Sequence, residues 1–372
     1  MRKLIWTLVI LVVVGVFGGR AWYLYQHRET DTNVVKIGVI LPLTGLVSET
    51  ADEVQNGLNL AIEELNQRYD KKIKLLMEDG KYTEKDSINA LHKIMTKDVS
   101  ALMIMGQLPA MGTGPLIKDY NLPTMVTIAM GNKIPLFDEH IFRFYTPAWA
   151  IGEKIANYAR DGLNLDKVGV FYIKNDMGRD TTNQFQKTFQ DKGGKITSVD
   201  TFELGSMNMR SQVAKMLAGN PQAIYVAGFG PGFCATINAI KESGYEGYIL
   251  SGGEILQPAY RNNIKDVNGI YFVDTVFDNY SDNERILAFS KKYREKYHIE
   301  PGNFAAFNYE AMLILGDAIQ QKDIQTLDYL KKQIKNRQTI FGKISFDENG
   351  EIDIPLVIKQ MQPDGTAKVV KE

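Results

Sequence analysis

The sequence predicts an α/β protein built from two successive doubly wound parallel sheets, and three observations carry that prediction. Short apolar, β-branched runs alternate with amphipathic stretches of helical period along most of the 372 residues. That is the pattern of strands buried under helices on both faces. The length and ordinary composition, 44% hydrophobic and 23% charged, suit two globular units rather than one unit or a disordered chain. The alternation also starts afresh after Pro147, so a second unit of similar size follows the first.

The first unit opens on Val34-Val35-Lys36-Ile37-Gly38-Val39-Ile40-Leu41-Pro42-Leu43-Thr44-Gly45, an apolar run ended by a Pro and a Gly-containing turn. A helix over 53–66 follows. Ligands of open α/β sheets bind beyond the carboxyl ends of the strands, so the loop at Thr44 is the first candidate site. Strands over 73–77, 101–105, 124–129 and 141–145 complete this unit, with helices over 84–97 and closing at 116–120. In the second unit, helices are expected over 152–160, 181–192, 209–218 and 233–243. Strands are expected over 168–173, 195–201, 223–227, 248–250 and 270–276. Gly193-Gly194 is a helix stop signal. Helices near 283–297, 305–321 and 327–335 come later. From Gly342 the chain turns to strands joined by Asp347-Glu348-Asn349-Gly350 and Pro363-Asp364-Gly365, both good turn sequences.

Ahead of these units, Met1-Arg2-Lys3 precedes an apolar run from 4 to 19, and Trp22, Tyr23 and Tyr25 follow it. Two basic residues before the run place the start of the chain in the cytoplasm and the bulk outside. Gly18-Gly19 makes a poor cleavage site, and the aromatic cluster resembles an interfacial belt, so residues 1–33 read as an uncleaved transmembrane anchor and tether. The competing reading is a cleaved signal segment. Both export the rest of the chain.

Charge and motifs exclude several chemistries. The net charge is −1, with no basic patch and hence no footprint for nucleic acid. Cys234 is the only cysteine; it cannot form an internal disulfide and reads as a buried structural thiol rather than a nucleophile. The four histidines are scattered without ligand spacing, so neither metal nor cofactor is expected. Gly228-Phe229-Gly230-Pro231-Gly232 follows a strand and precedes a helix, but its spacing is not that of a dinucleotide loop, and Pro231 lacks the N–H such a loop needs. A tight turn with a close neighbour is the plainer reading. No phosphate-cradling loop and no nucleophile elbow occurs. The sequence-adjacent acids Asp52-Glu53, Glu63-Glu64 and Glu78-Asp79 do not face one another on a helix and read as solvated charges. Glu254, in Ser251-Gly252-Gly253-Glu254 just past a strand, sits where a cleft would be. It is either an exposed loop acid or a carboxylate that accepts hydrogen bonds from a cationic ligand.

Read together, the segments resemble the type I periplasmic solute-binding proteins, in the leucine/isoleucine/valine-binding branch. The likeness covers nearly all of residues 34–372. It rests on Lys36-Ile37-Gly38-Val39 with Pro42-Leu43-Thr44-Gly45, Asn56-Gly57 with Ala61, Gly106 with Pro115, and Phe142-Arg143 with Pro147. It continues through Gly152 to Tyr158-Ala159, Asn175-Asp176-Met177-Gly178-Arg179, Gly193-Gly194 and Asn220-Pro221-Gln222-Ala223, then Gly252-Gly253-Glu254 and Tyr309-Glu310-Ala311.

The resemblance implies two Rossmann-like lobes joined by three crossovers and closing on a small molecule by hinge motion. It places the crossovers near Tyr145-Thr146, Asp274-Thr275 and Ile340-Phe341. Lobe one would hold 34–145 with 275–340, and lobe two 146–274 with 341–372. It implies an importer of the ABC type whose permease receives the ligand, and no covalent chemistry. Matching the family's ligand contacts onto this chain gives Thr44, Ala110, Met111, Thr127 and Ala129 in lobe one. Met177, Phe229 and Glu254 match in lobe two. The hydroxyls that hold an amino-acid carboxylate fall here on Ala110 or Met111 and on Met130, with Thr127 or the N–H groups of Ala110 and Met111 as substitutes. The acid that takes the ammonium is Glu254. Without the carboxylate contacts, the expected ligand is more apolar, or an amine. Trp149 either lines the cleft or packs beneath it. The second functional reading is a membrane-tethered ligand sensor or scaffold regulating an envelope partner. Its signal would have to pass through that partner, because only two charged residues precede the apolar run.

Overall fold

The computed structural model describes residues 33–279 and 281–371; the expected anchor at 1–33 lies outside them, apart from Asn33. Five parallel strands form the first sheet: β1 (Val34–Leu41), β2 (Lys72–Asp79), β3 (Ala101–Met105), β4 (Thr124–Thr127) and β5 (Ile141–Phe144), in the order β2-β1-β3-β4-β5. The alternation of a strand sends successive side chains of β1 to opposite faces. Val35, Ile37, Val39 and Leu41 meet Val54, Leu58, Ala61 and Leu65 of α1 (Ala51–Arg68). Ile40 packs on the other face with Leu91 and Ile94 of α2 (Glu84–Met95). Both faces are therefore covered, which is why the run carries no polar alternation.

A second sheet holds seven strands: β6 (Lys167–Ile173), β7 (Lys195–Phe202), β8 (Ala223–Ala227), β9 (Tyr248–Gly252), β10 (Tyr271–Thr275), β13 (Leu356–Met361) and β14 (Ala367–Lys371). Their order is β14-β13-β10-β9-β8-β6-β7. β6 to β10 are parallel, while β13 runs antiparallel to β10 and β14 antiparallel to β13. Helix α3 (Gln107–Thr113) follows β3 of the first sheet, and α4 (Ala148–Asn157), α5 (Asp176–Asp191), α6 (Arg210–Leu217), α7 (Gly230–Glu242) and α8 (Pro258–Arg261) accompany the strands of the second. After β10 come α9 (Glu284–Tyr297), α10 (Asn303–Ile319) and α11 (Thr326–Gln333), and a hairpin of β11 (Arg337–Thr339) and β12 (Gly342–Ile344). Among the described residues no helix is long and apolar enough to cross a membrane.

Three glycines among the quoted motifs mark close approaches between elements. A Cβ on Gly57 of α1 would stand 2.3 Å from the Ala305 carbonyl oxygen of α10, and one on Gly152 of α4 would stand 2.2 Å from the Thr181 carbonyl oxygen of α5. A Cβ on Gly38 would meet the Ile94 methyl at 2.3 Å. Gly57→Ala is therefore expected to push α1 and α10 apart and to cost about 1–3 kcal/mol, as overpacking does. A urea unfolding curve with a lowered midpoint and unchanged slope would register it; a change below about 0.5 kcal/mol would remove close packing as the reason for this glycine.

One expectation needs correction. Glu53 is not a solvated partner of Asp52: its Oε1 accepts the Ala305 N–H at 3.0 Å at the start of α10, and burial pushes its carboxyl up to about 7. The chain stays with the first sheet beyond Phe341. Arg143 N–H of β5 donates to the Gly350 carbonyl at 2.8 Å, Arg143 and Glu351 form a parallel bridge, and Phe346 pairs with Ile352. The second sheet is reached only at Leu356, where β13 pairs with Thr275.

Candidate functional site

The carboxyl ends of the parallel strands of the two sheets face each other across a cavity. The first sheet contributes Val47 and Thr50 after β1, Tyr82 after β2, Met105 and Gln107 at the end of β3, Ile128 and Met130 after β4, and Tyr145 after β5. The second contributes Met177 after β6, Phe229 after β8, and Glu254 and Tyr260 after β9, and Phe304 of α10 closes the wall. The enclosed space is small, about 30 Å³, room for roughly two waters. Tyr82 and Phe229 meet edge to face across it with centroids 5.7 Å apart. Nearby, the Asn132 N–H donates to Asp180 Oδ2 of α5 at 3.0 Å.

Local backbone geometry aims these side chains inward. Lys81 and Tyr82 both have positive φ, 48° and 58°, turning the chain so that the Tyr82 ring lies over Gly106. A Cβ at Gly106 would stand 2.4 Å from that ring. Ile128 holds φ 52°, a conformation that costs a β-branched residue free energy and that clusters at functional sites. It interrupts the strand alternation after Thr127 and sends Ile128 and Met130 to the cavity.

Among the described residues, Glu254 is the only carboxylic acid in the lining, at 7% exposure. The two glycines before it leave room for carboxylates: a Cβ at Gly252 would lie 2.4 Å from Glu254 Oε2, and one at Gly253 would lie 2.8 Å from Asp274 Oδ1. Burial, with repulsion from Asp274 added, pushes the Glu254 carboxyl up to about 7. Asp274 itself is compensated, accepting from Lys359 Nζ at 2.7 Å and Asn303 Nδ2 at 2.8 Å. No Lys, Arg or His among the described residues lines the cavity.

Of the residues expected at the site, Met177, Phe229 and Glu254 face the cavity, and five lie elsewhere. Thr44 is exposed and its Oγ1 donates to Asp79 Oδ2 at 2.6 Å. Ala110 and Ala129 are buried in the first sheet's outer core, and Met111 packs against it. The Ala110 N–H is spent on the Gly106 carbonyl at 3.1 Å, and Thr127 Oγ1 donates to Asn308 Oδ1 at 2.8 Å. Trp149 is 48% exposed and not part of the lining. Cys234 is buried, its thiol 3.6 Å from the Tyr260 carbonyl and pushed up to about 11 by burial. In the glycine loop before it, a Cβ at Gly232 would stand 2.2 Å from the Glu203 carbonyl oxygen, while Phe229 points into the cavity.

Sequence reasoning missed Gln107, Tyr82, Tyr145 and Tyr260. The signal for the first three was position alone, immediately past the ends of β3, β2 and β5. Tyr260 sits on α8, a four-residue helix too short to give a periodic pattern.

A fold with two sheets joined through paired carboxyl-end loops is shared widely, and the comparison that decides the family is of sequence. Residues 34–366 match the family described as periplasmic binding protein. The chain belongs to that family. The Leu/Ile/Val-binding protein homolog 1 of Brucella abortus (strain 2308) is 23% identical over 366 residues, covering 95% of each chain. A leucine-binding protein of Thermotoga maritima has a TM-score of 0.82 at 25% identity, covering 90% of this chain and 97% of its own. A branched-chain amino-acid transporter substrate-binding protein of Streptococcus pneumoniae, solved with isoleucine, has a TM-score of 0.83 at 21% identity, covering 91% and 100%. All three are named as binding proteins, and the present chain shares their fold.

Proposed function

We propose that this periplasmic binding protein captures a small organic amine or amino acid between two lobes by hinge closure and presents it to an ABC permease. Lobe one would comprise 34–145 with 276–352, and lobe two 146–275 with 353–372. This moves the third crossover from Ile340-Phe341 to the segment before Leu356, because Gly350 and Glu351 bond to Arg143 of β5 and Phe346 pairs with Ile352 beside them. Residues 1–33 would tether the lobes on the outer side of the membrane; the apolar run and the aromatic cluster support that reading.

The observation that carries the proposal is a cavity walled by both lobes, apolar apart from a few polar groups, with one acid and no counter-cation among the described residues. Such a lining suits binding rather than turnover, and its one acid suits an ammonium. Its small volume supports closure by lobe movement, since a solute of amino-acid size needs the walls apart to enter.

Thermal denaturation of the full chain against amines, α-amino acids, aromatic acids and short peptides tests this. A ligand that binds only the folded state stabilises it by about 2.7 kcal/mol at 100 times its dissociation constant and so raises the melting temperature with concentration. Silence across the panel would sink capture and leave a scaffold role in its place.

A further inference from the structure

Gln107 is 2% exposed and lines the cavity. Its Oε1 accepts the Gly131 N–H at 2.8 Å, which fixes which end of the amide is which. Reversing the amide would set its NH₂ group against that N–H. The Nε2 has no hydrogen-bond partner among the described residues. A Cβ at Gly131 would stand 2.3 Å from this nitrogen, so the glycine leaves the NH₂ group its place. A buried donor without a partner costs about 1–3 kcal/mol, a cost that a ligand atom would remove.

Two donors expected to hold a carboxylate are already engaged. The Ala110 N–H serves Gly106, the Thr127 hydroxyl serves Asn308, and no cationic side chain among the described residues lines the cavity. A second anion here would also face Glu254, with Asp274 behind it. Neutral donors alone, the Gln107 NH₂ with the hydroxyls of Tyr82, Tyr145 and Tyr260 beside it, in a cavity without positive charge fit a carbonyl or hydroxyl oxygen much better than a carboxylate, whose burial without a counter-charge is costly.

Building on the capture reading above, we propose that Gln107 is a specificity-determining residue whose amide NH₂ donates to a neutral acceptor on the ligand. The ligand class is then an amine carrying a carboxamide, ester or similar uncharged oxygen, with its ammonium on Glu254, rather than a free α-amino acid.

Titration calorimetry of the full chain at pH 7 tests this with two sets of three compounds. The sets are leucine, leucinamide and 3-methylbutylamine, and phenylalanine, phenylalaninamide and 2-phenylethylamine. The amide of at least one set is expected to bind about 10-fold tighter than its acid and than its bare amine, the worth of one buried hydrogen bond. Gln107→Leu is expected to bring the amide down to the level of the bare amine, abolishing the about 10-fold preference between them. The inference is overturned if the acid equals or exceeds the amide in wild-type protein, a comparison that needs no variant to fold. It is also overturned if Gln107→Leu weakens amide and amine alike. Heat from none of the six, in a protein that responds to another solute of the thermal panel, overturns the inference and leaves capture standing. Silence in both experiments overturns capture itself.

Discussion

Glu254→Gln is expected to lower affinity for a cationic ligand by about 100-fold while making the free protein more stable above neutral pH. Both effects follow from the same burial. The Glu254 carboxyl is pushed up to about 7 in the folded protein, against 4.5 for an ordinary glutamate. The folded state therefore holds this proton more tightly than the unfolded state. Its contribution to stability is fully present below about pH 4.5 and is lost as pH rises through about 7. The loss is about 3 kcal/mol at most, and a permanently neutral Gln does not incur it. The Glu254→Gln protein should thus match wild type at about pH 4 and exceed it at about pH 8.

Binding runs the other way. An ammonium pairs with the carboxylate form, so wild-type affinity should climb about tenfold per pH unit below pH 7 and level off above it. At about pH 6 each binding event should release nearly one proton, measurable as a binding enthalpy that depends on the buffer's ionisation heat. The Gln variant should lose the pH dependence along with the affinity. A residue that costs stability when free and gains it only with ligand is what a binding site selects for. Equal affinity in wild type and Glu254→Gln at pH 8 would remove Glu254 from the ammonium contact.

Strand order and helix order were legible because buried parallel strands leave continuous apolar runs. The runs at 101–105 and 223–227 coincide with β3 and β8 to the residue. Helix starts were less legible. α5 begins at Asp176 under an Asn175 side-chain cap, five residues before its apolar stripe becomes periodic. The site was half legible. Glu254, Phe229 and Met177 follow strands whose ends the pattern marks. On the first sheet, matching family positions carried the expectation to Ala110 and Met111, one turn of α3 beyond Gln107. Nor does a raised carboxyl pick out the site. Glu53 and Glu310 are also pushed up to about 7 by burial, yet they accept backbone N–H groups from Ala305 and Ile340 and hold α10 and the turn after β11. Of these three, Glu254 alone faces the cavity. Tertiary placement, which no local pattern encodes, separates them.

The largest loss of stability is expected from Arg143→Met, and it should carry a loss of binding with it. Arg143 is 1% exposed. Its Nε donates to Glu351 Oε1 at 2.7 Å, its Nη2 pairs with Glu351 Oε2, and its Nη1 donates to the Gly131 carbonyl at 2.7 Å. Burial pushes the Glu351 carboxyl up even with Arg143 beside it, so desolvation already opposes this pair. Removing the arginine leaves Glu351 and the Gly131 carbonyl without their partner, at about 3–5 kcal/mol for a broken buried pair. Arg143→Met with Glu351→Leu should recover most of that, because neither charge then remains buried. Binding should not recover in parallel. The Gly131 carbonyl is held by Arg143 while its N–H orients Gln107, so Arg143 is a positioning residue for the donor in the cavity. The double variant should therefore unfold near the wild-type urea midpoint yet discriminate less between an amide ligand and its bare amine. A single variant costing under about 1 kcal/mol would show the pair to be dispensable. A double variant with wild-type discrimination would show that the Gly131 loop holds its place without the arginine.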